Sequence, residues 1–178
     1  MVQYLPVGFK RIIMRRTQFC CLLILVFFSA NIIACNKKAL PADSSTAIPV
    51  YKASTIVKDI LMYVNDYRKA EGLPALQLLD AASAEAAKHS ADMAFRRTPF
   101  GHEGFDDRMA AISKNAGYLF GMAENVAYGH LDAKQVVDLW INSPAHKKNM
   151  EGNYNYTGIG LAQAKDGTVY FTQIFVRK

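Results

Sequence analysis

Apolar positions along this chain fall into three regimes. Residues 19–34 form an almost continuous apolar run, broken only by Ser29 and Asn31. From about residue 53 to residue 150, apolar side chains recur at helical spacing. Beyond Tyr156 the chain turns to stretches rich in β-branched and aromatic residues, as strands require. In the middle regime, Ile56, Ile60, Tyr63, Val64 and Tyr67 share one helical face, with Ser54 or Thr55 placed to cap it. Gly72 tolerates positive φ and Pro74 lacks an N–H, so this helix ends there. Asp80 is placed to cap a second, alanine-rich helix reaching about Phe95. Its stripe of Ala82, Ala86, His89 and Met93 lets a neighbouring element come close.

A third helix is expected over Phe105–Ala116. A fourth follows Asp132, with Val136, Val137, Trp140 and Ile141 inward. Ser143-Pro144 opens a last helical turn, where proline at the first position loses no hydrogen bond. Residues 156–164 and 168–176, joined through Asp166-Gly167, read as an antiparallel hairpin. A third strand is expected to include residues 124–127. Helices and strands do not alternate regularly, so the pattern predicts an α+β fold rather than a doubly wound sheet.

The amino-terminal regime reads as a sorting signal. Residues 1–34 carry Lys10, Arg11, Arg15 and Arg16 and no acid. A basic flank, an apolar stretch and a small final residue make an export signal. The stretch is short for a spanning helix, which takes about 20 apolar residues. It closes on Ile32-Ile33-Ala34-Cys35, which resembles a bacterial lipobox. That motif predicts cleavage before Cys35 and a membrane anchor through acylation of Cys35. An uncleaved anchor and a secreted protein cut nearby are the alternatives.

Residues 35–52 have little to bury and are expected to form a flexible tether ahead of one domain over residues 53–178. Cys20 and Cys21 would leave with the signal, so no intramolecular disulfide can form. Core packing alone must then hold the fold, which about 120 residues suffice to supply. The net charge of +6 is concentrated in the leader. Four of the 21 basic residues and none of the 15 acids lie there, leaving +2 for residues 35–178. That balance gives no warrant for a nucleic-acid partner.

Four peptides set polar side chains inside apolar or glycine-marked stretches. They are Phe100-Gly101-His102-Glu103-Gly104, Ala123-Glu124-Asn125-Val126-Ala127, Trp140-Ile141-Asn142-Ser143-Pro144-Ala145-His146 and Tyr170-Phe171-Thr172-Gln173-Ile174-Phe175. Burying such groups unpartnered costs on the order of several kcal/mol, so they are expected to meet one another or a ligand. In order and spacing, over about residues 56–175, these peptides resemble the CAP superfamily. That superfamily comprises cysteine-rich secretory proteins, venom allergens, plant pathogenesis-related proteins and exported bacterial relatives, here their lipoprotein branch.

The resemblance implies an α-β-α sandwich, with a small, mainly antiparallel sheet between helix layers. It matches His102 to the first histidine of the family's cavity tetrad. It matches Glu124 to the glutamate of the Gly-Glu-Asn motif, with Ala123 where glycine is common. It departs at two positions: Ser143 stands where eukaryotic members carry a second glutamate, and Tyr170 where they carry a second histidine. His146 is typical of the bacterial branch and is expected to face the same cleft, with Tyr170 or Ser143 beside it. The absence of disulfides is a further departure from the animal and plant members.

A loop histidine between glycines, such as His102, leaves room for a ligand. A lone glutamate leading into a buried strand, such as Glu124, calls for a cation or backbone amides. Asn125 reads as a tie between backbone segments. Two histidines and a carboxylate suit an open zinc site, so His102, Glu124 and His146 are the candidate metal ligands. Their dispersed spacing, without a His-Glu-x-x-His helix, points to a weakly bound zinc or other divalent metal. His89, on a packed stripe beside Ser90, reads as a satisfied interior histidine. Nucleophilic hydrolysis has little support: there is no Gly-x-Ser-x-Gly elbow, and Ser143 near His146 is better explained as a helix cap.

The favoured function is therefore a non-catalytic binding or scaffolding module anchored in the cell envelope. Its cleft would take a lipid, a glycan or an envelope protein. A metal-assisted hydrolase of peptide or cell-wall bonds is the alternative. A structural role with a vestigial cleft is the third reading.

Overall fold

The Asp166-Gly167 turn makes the hairpin expected of it, and that hairpin is the middle of the sheet. In the computed structural model, which describes residues 50–178, the order of elements is α1 (Val50–Ala70), β1 (Gln77–Leu78), α2 (Asp80–Ala94), α3 (Phe105–Ala116), β2 (Gly121–Gly129), α4 (Ala133–Ile141), α5 (Pro144–Met150), β3 (Tyr156–Gln163) and β4 (Val169–Arg177). The strand order is β1-β3-β4-β2. The short β1 runs parallel to β3, and the other pairings are antiparallel. The export signal, Cys35 and the tether before Val50 lie outside the described residues.

Alternation along β4 builds the layers. Phe171 and Phe175 point to one face, where they join Ile60 and Val64 of α1 and Val136, Val137 and Trp140 of α4. Ile174 and Val176 point to the other, against Ala82 and Ala86 of α2 and Ile112 of α3. This is the α-β-α sandwich that the family resemblance implies. Trp140, Phe171 and Phe175 are wholly buried, and each such side chain contributes about 1.5–3 kcal/mol. On the second face α2 lies almost on the sheet backbone. A Cβ at Gly158 or Gly160 would overlap the α2 main chain at Ala82–Ser83 and Ala86–Ala87. The alanine stripe of α2 and these two glycines therefore fix how deeply the helix sits.

Three local expectations need correction. The first helix begins at Val50, so Ser54 and Thr55 lie inside it and residues 50–52 of the expected tether are helical. Asp80 is the first helical residue of α2 rather than its cap. Leu79 holds the cap position with no side-chain bond, while Asp80 still sits favourably at the positive end of the helix dipole. Ser143 does precede Pro144 at the start of α5, but its hydroxyl makes no capping bond. Asp132, by contrast, caps α4 as expected, in a reciprocal box with Gln135.

Two polar devices close the connections. Arg68 of α1 is 1% exposed and has no carboxylate partner among the described residues. Its guanidinium donates to the carbonyls of Pro74, Met150, Gly152 and Tyr154 at 2.8, 2.6, 3.0 and 3.2 Å. This ties the loop after α1 to the connection between α5 and β3. At the outer edge of β2, the carbonyls of Glu124 and Val126 accept from Asn149 Nδ2 at 3.1 Å and Trp140 Nε1 at 3.4 Å. Side chains of α5 and α4 thus occupy a sheet edge that would otherwise face water.

Candidate functional site

Three elements and a loop converge on Glu124. The strand carries its side chain toward the α2 layer, where it is 2% exposed. Arg108, in the second turn of α3, meets it with a bidentate fork: Nε donates to Oε2 and Nη2 to Oε1, both at 2.8 Å. The third arm of the same guanidinium, Nη1, donates to the Glu103 carbonyl at 2.8 Å. The loop between α2 and α3 is held from the α2 side as well, where His89 Nε2 donates to the Gly101 carbonyl at 2.8 Å. That places His102 so that Nδ1 lies 2.9 Å from Glu124 Oε1. The His102 side chain is 53% exposed, so it is the member of the cluster that reaches solvent.

His102 and Glu124 are therefore brought together as the motif implies. Of the two partners expected for Glu124, a cation or backbone amides, the structure supplies a cation, Arg108, a residue sequence reasoning missed. It follows Asp106-Asp107 in the first turn of a polar helix, where a basic residue reads as solvated surface. His89 is buried and hydrogen-bonded as expected, yet its Nε2 also lies 3.9 Å from Glu124 Oε1. It belongs to the cluster and not merely to the core. Asn125 joins backbone segments: its Nδ2 donates to the His146 carbonyl at 3.1 Å, and its Oδ1 accepts from Asn149 at 2.9 Å.

The side chains of the other candidates make no hydrogen bond to the His102–Glu124 pair among the described residues. No hydrogen bond joins the His146 ring to the cluster, and its Nδ1 is buried without a partner among the described residues. Burial holds this imidazole below its ordinary pKa, with the charge of His102 adding in the same direction. Tyr170 pairs across the strands with Tyr128, whereas Glu124 pairs with Ile174, four residues further along β4. Tyr170 contacts the rings of Phe100 and Tyr128 instead of the cluster. Ser143 contributes backbone only, accepting from the Lys147 N–H at 2.8 Å. A groove of about 320 Å³ beside the cluster, between α2 and α3, reaches His89 and Arg108 but is not lined by His102, Glu124 or His146.

The donor set does not fit a zinc centre. Each oxygen of Glu124 accepts from the Arg108 guanidinium, whose fixed positive charge opposes a metal cation there. No group of three histidine, cysteine, aspartate or glutamate side chains suited to a metal occurs among the described residues. No helix among them is long and apolar enough to cross a membrane.

The sandwich, its sheet order and the His102–Glu124 pair define an α+β domain of the cysteine-rich secretory type. The CAP model, described as the cysteine-rich secretory protein family, matches residues 61–175, and the chain belongs to this family. It is 31% identical over 143 residues to the uncharacterized protein YkwD of Bacillus subtilis, covering 76% of this chain and 52% of that one. The chain thus spans about half the length of that relative. An outer surface protein from Borrelia burgdorferi superposes with a TM-score of 0.62 at 22% identity, over 74% of this chain and 97% of that one, a likeness of fold. An extracellular protein containing a SCP domain from Bacillus anthracis superposes with a TM-score of 0.60 at 25% identity, over 74% of this chain and 44% of that one.

Proposed function

We propose that this chain is an extracytoplasmic, envelope-anchored CAP module that binds or scaffolds and does not catalyse. The observation that carries the reading is the bidentate capture of Glu124 by Arg108. A general base or metal ligand needs a carboxylate lone pair turned to its target. Here guanidinium N–H groups bond to both oxygens and His102 adds a third bond, so three of the four lone pairs are engaged beside a fixed positive charge. Glu124 and Arg108 then serve to position His102. A carboxylate only accepts hydrogen bonds, so His102 donates from Nδ1, and Nε2 is the ring nitrogen left for a ligand.

The compartment follows the descriptions of the structural neighbours, one an outer surface protein and one extracellular. Cys35 would supply the acylated membrane anchor and the residues after it a spacer. Secretion without an anchor is the alternative. Metal-assisted hydrolysis would require the Arg108 clamp to open first. The test uses the full-length chain in mild detergent, incubated with peptidoglycan and with a denatured protein substrate, with and without added zinc. No cleavage above the background of a His102→Ala control is expected. Zinc-dependent cleavage that disappears in His102→Ala and Glu124→Gln would overturn the proposal.

A further inference from the structure

The end of the sheet beyond the Glu124 cluster carries chemistry that the cluster does not use. Tyr128 and Tyr170 stack with centroids 5.6 Å apart and 18° between their planes. Phe100 packs edge-on against Tyr128 at 4.7 Å. Tyr128 is 55% and Phe100 47% exposed, so this aromatic wall looks onto solvent. Two grooves, of about 500 and 330 Å³, adjoin it, and both are lined by Tyr170 and Arg96. Cavities of this size suit a small ligand.

Arg96 is the informative residue. At φ 56° it is the one described non-glycine residue with positive φ, just past the end of α2, where glycine is the ordinary choice. Its guanidinium makes no hydrogen bond or ion pair among the described residues. The charges around it are already engaged. Arg97 is paired with Asp92 at 2.6 Å and lies over the Phe95 ring. Asp166, across the larger groove, accepts from the Thr168 N–H at 3.0 Å. Backbone strain kept at an exposed, unpaired cation points to a use for the side chain.

We infer that this face binds an acidic saccharide, with a sugar ring laid on the Tyr128–Tyr170 wall and its carboxylate or phosphate on Arg96. A sugar ring has an apolar C–H face that suits an aromatic ring and hydroxyls that stay wet at its rim. The planar fork of arginine matches either anion. A single uncommitted arginine in a concave site fits one acidic sugar better than a charged membrane surface, which calls for clusters of basic residues. The His102 reading is not needed for this, because Tyr128 lies four residues beyond Glu124, roughly 13 Å along the strand.

The experiment is a calorimetric titration of the full-length chain in mild detergent with hexagalacturonate, a phosphorylated mannose oligomer and neutral chitohexaose. Phosphatidylglycerol vesicles form a fourth arm. One or both acidic sugars are expected to bind, the responding arm naming the anion. Arg96→Gly should weaken that binding by about tenfold, the loss of one charge-assisted contact. The same substitution should raise the melting temperature by releasing the strained φ, which separates binding from folding. Tyr170→Ala should weaken binding as well, and His102→Ala should leave it unchanged. Absence of sugar binding at millimolar concentration, chitohexaose binding equal to that of the acidic sugars, or Arg96-dependent binding to vesicles alone would each overturn the inference.

Discussion

Arg68 and Arg108 are both withdrawn from water, and the molecule neutralises them in different ways. Arg108 faces a carboxylate that is itself buried, and the two form a pair. Arg68 faces only backbone carbonyls, four of them, drawn from two connections distant in sequence. Burial lowers the pKa of Arg68, but an arginine starts so high that it stays charged. The Arg108 partner is a side chain and is removable by mutation. The Arg68 partners are main chain and are not. A side-chain pair is therefore a site that substitution can tune, whereas the carbonyl knot is a fixed part of the fold.

The largest effect is expected at the knot. Arg68→Ala should cost on the order of 5 kcal/mol in urea unfolding, since it strands several buried carbonyls and leaves a cavity. No second substitution should restore it. Glu124→Ala should cost about 3–4 kcal/mol, because it leaves Arg108 buried without its counter-charge. Here rescue is expected: the double variant Glu124→Leu with Arg108→Met should recover most of the loss, as apolar replacements of buried pairs do. A double variant no more stable than Glu124→Ala would break the comparison. Arg108→Lys keeps the charge but loses the fork, and about 2 kcal/mol should go with it.

The smallest effect is the response to acid, which should fall on the Glu124 corner. Burial lowers the pKa of His89, opposed by its bond to the Gly101 carbonyl, and burial also lowers that of His146. The unfolded chain therefore takes up protons first as pH falls through the ordinary imidazole value of 6.5. Stability is complete above that value and declines below it, until the folded imidazoles protonate in turn. Hydrogen exchange at pH 7.5 and pH 5.5 should show the loop at Gly101 loosening, and less so in His89→Gln. The Arg68 knot has no imidazole among its partners, so its amides should hold.

What was legible in the sequence divides along the same line. Elements bounded by strong local chemistry came through. The bounds of α3 match because Gly104 takes a left-handed φ of 74° before it and Gly117 one of 87° after it. The hairpin follows from Gly167, and α4 from Asp132. Weaker signals misled: serine, threonine and aspartate near a helix start serve as caps or as first-turn residues alike, which displaced the starts of α1 and α2. The two-residue β1 is too short and too exposed to leave a pattern. Both buried arginines were invisible, because each is neutralised by partners far along the chain, while their own helices look solvated at those positions. His102 and Glu124 were legible through motif order. Tyr170 was assigned to their cleft by position in a motif, and strand register carries it elsewhere.

The covered edge of β2 bears on how this domain can meet other proteins. Many partners dock by laying an extended peptide along an open strand, a mode that reads backbone and borrows its hydrogen bonds. Asn149 and Trp140 already hold the outward carbonyls of Glu124 and Val126, whereas on the opposite side β1 covers only Tyr156 and Thr157 of β3. A peptide adding to the middle of β2 would first have to displace those two bonds. Recognition along that stretch of β2 has to come through side chains, one contact at a time.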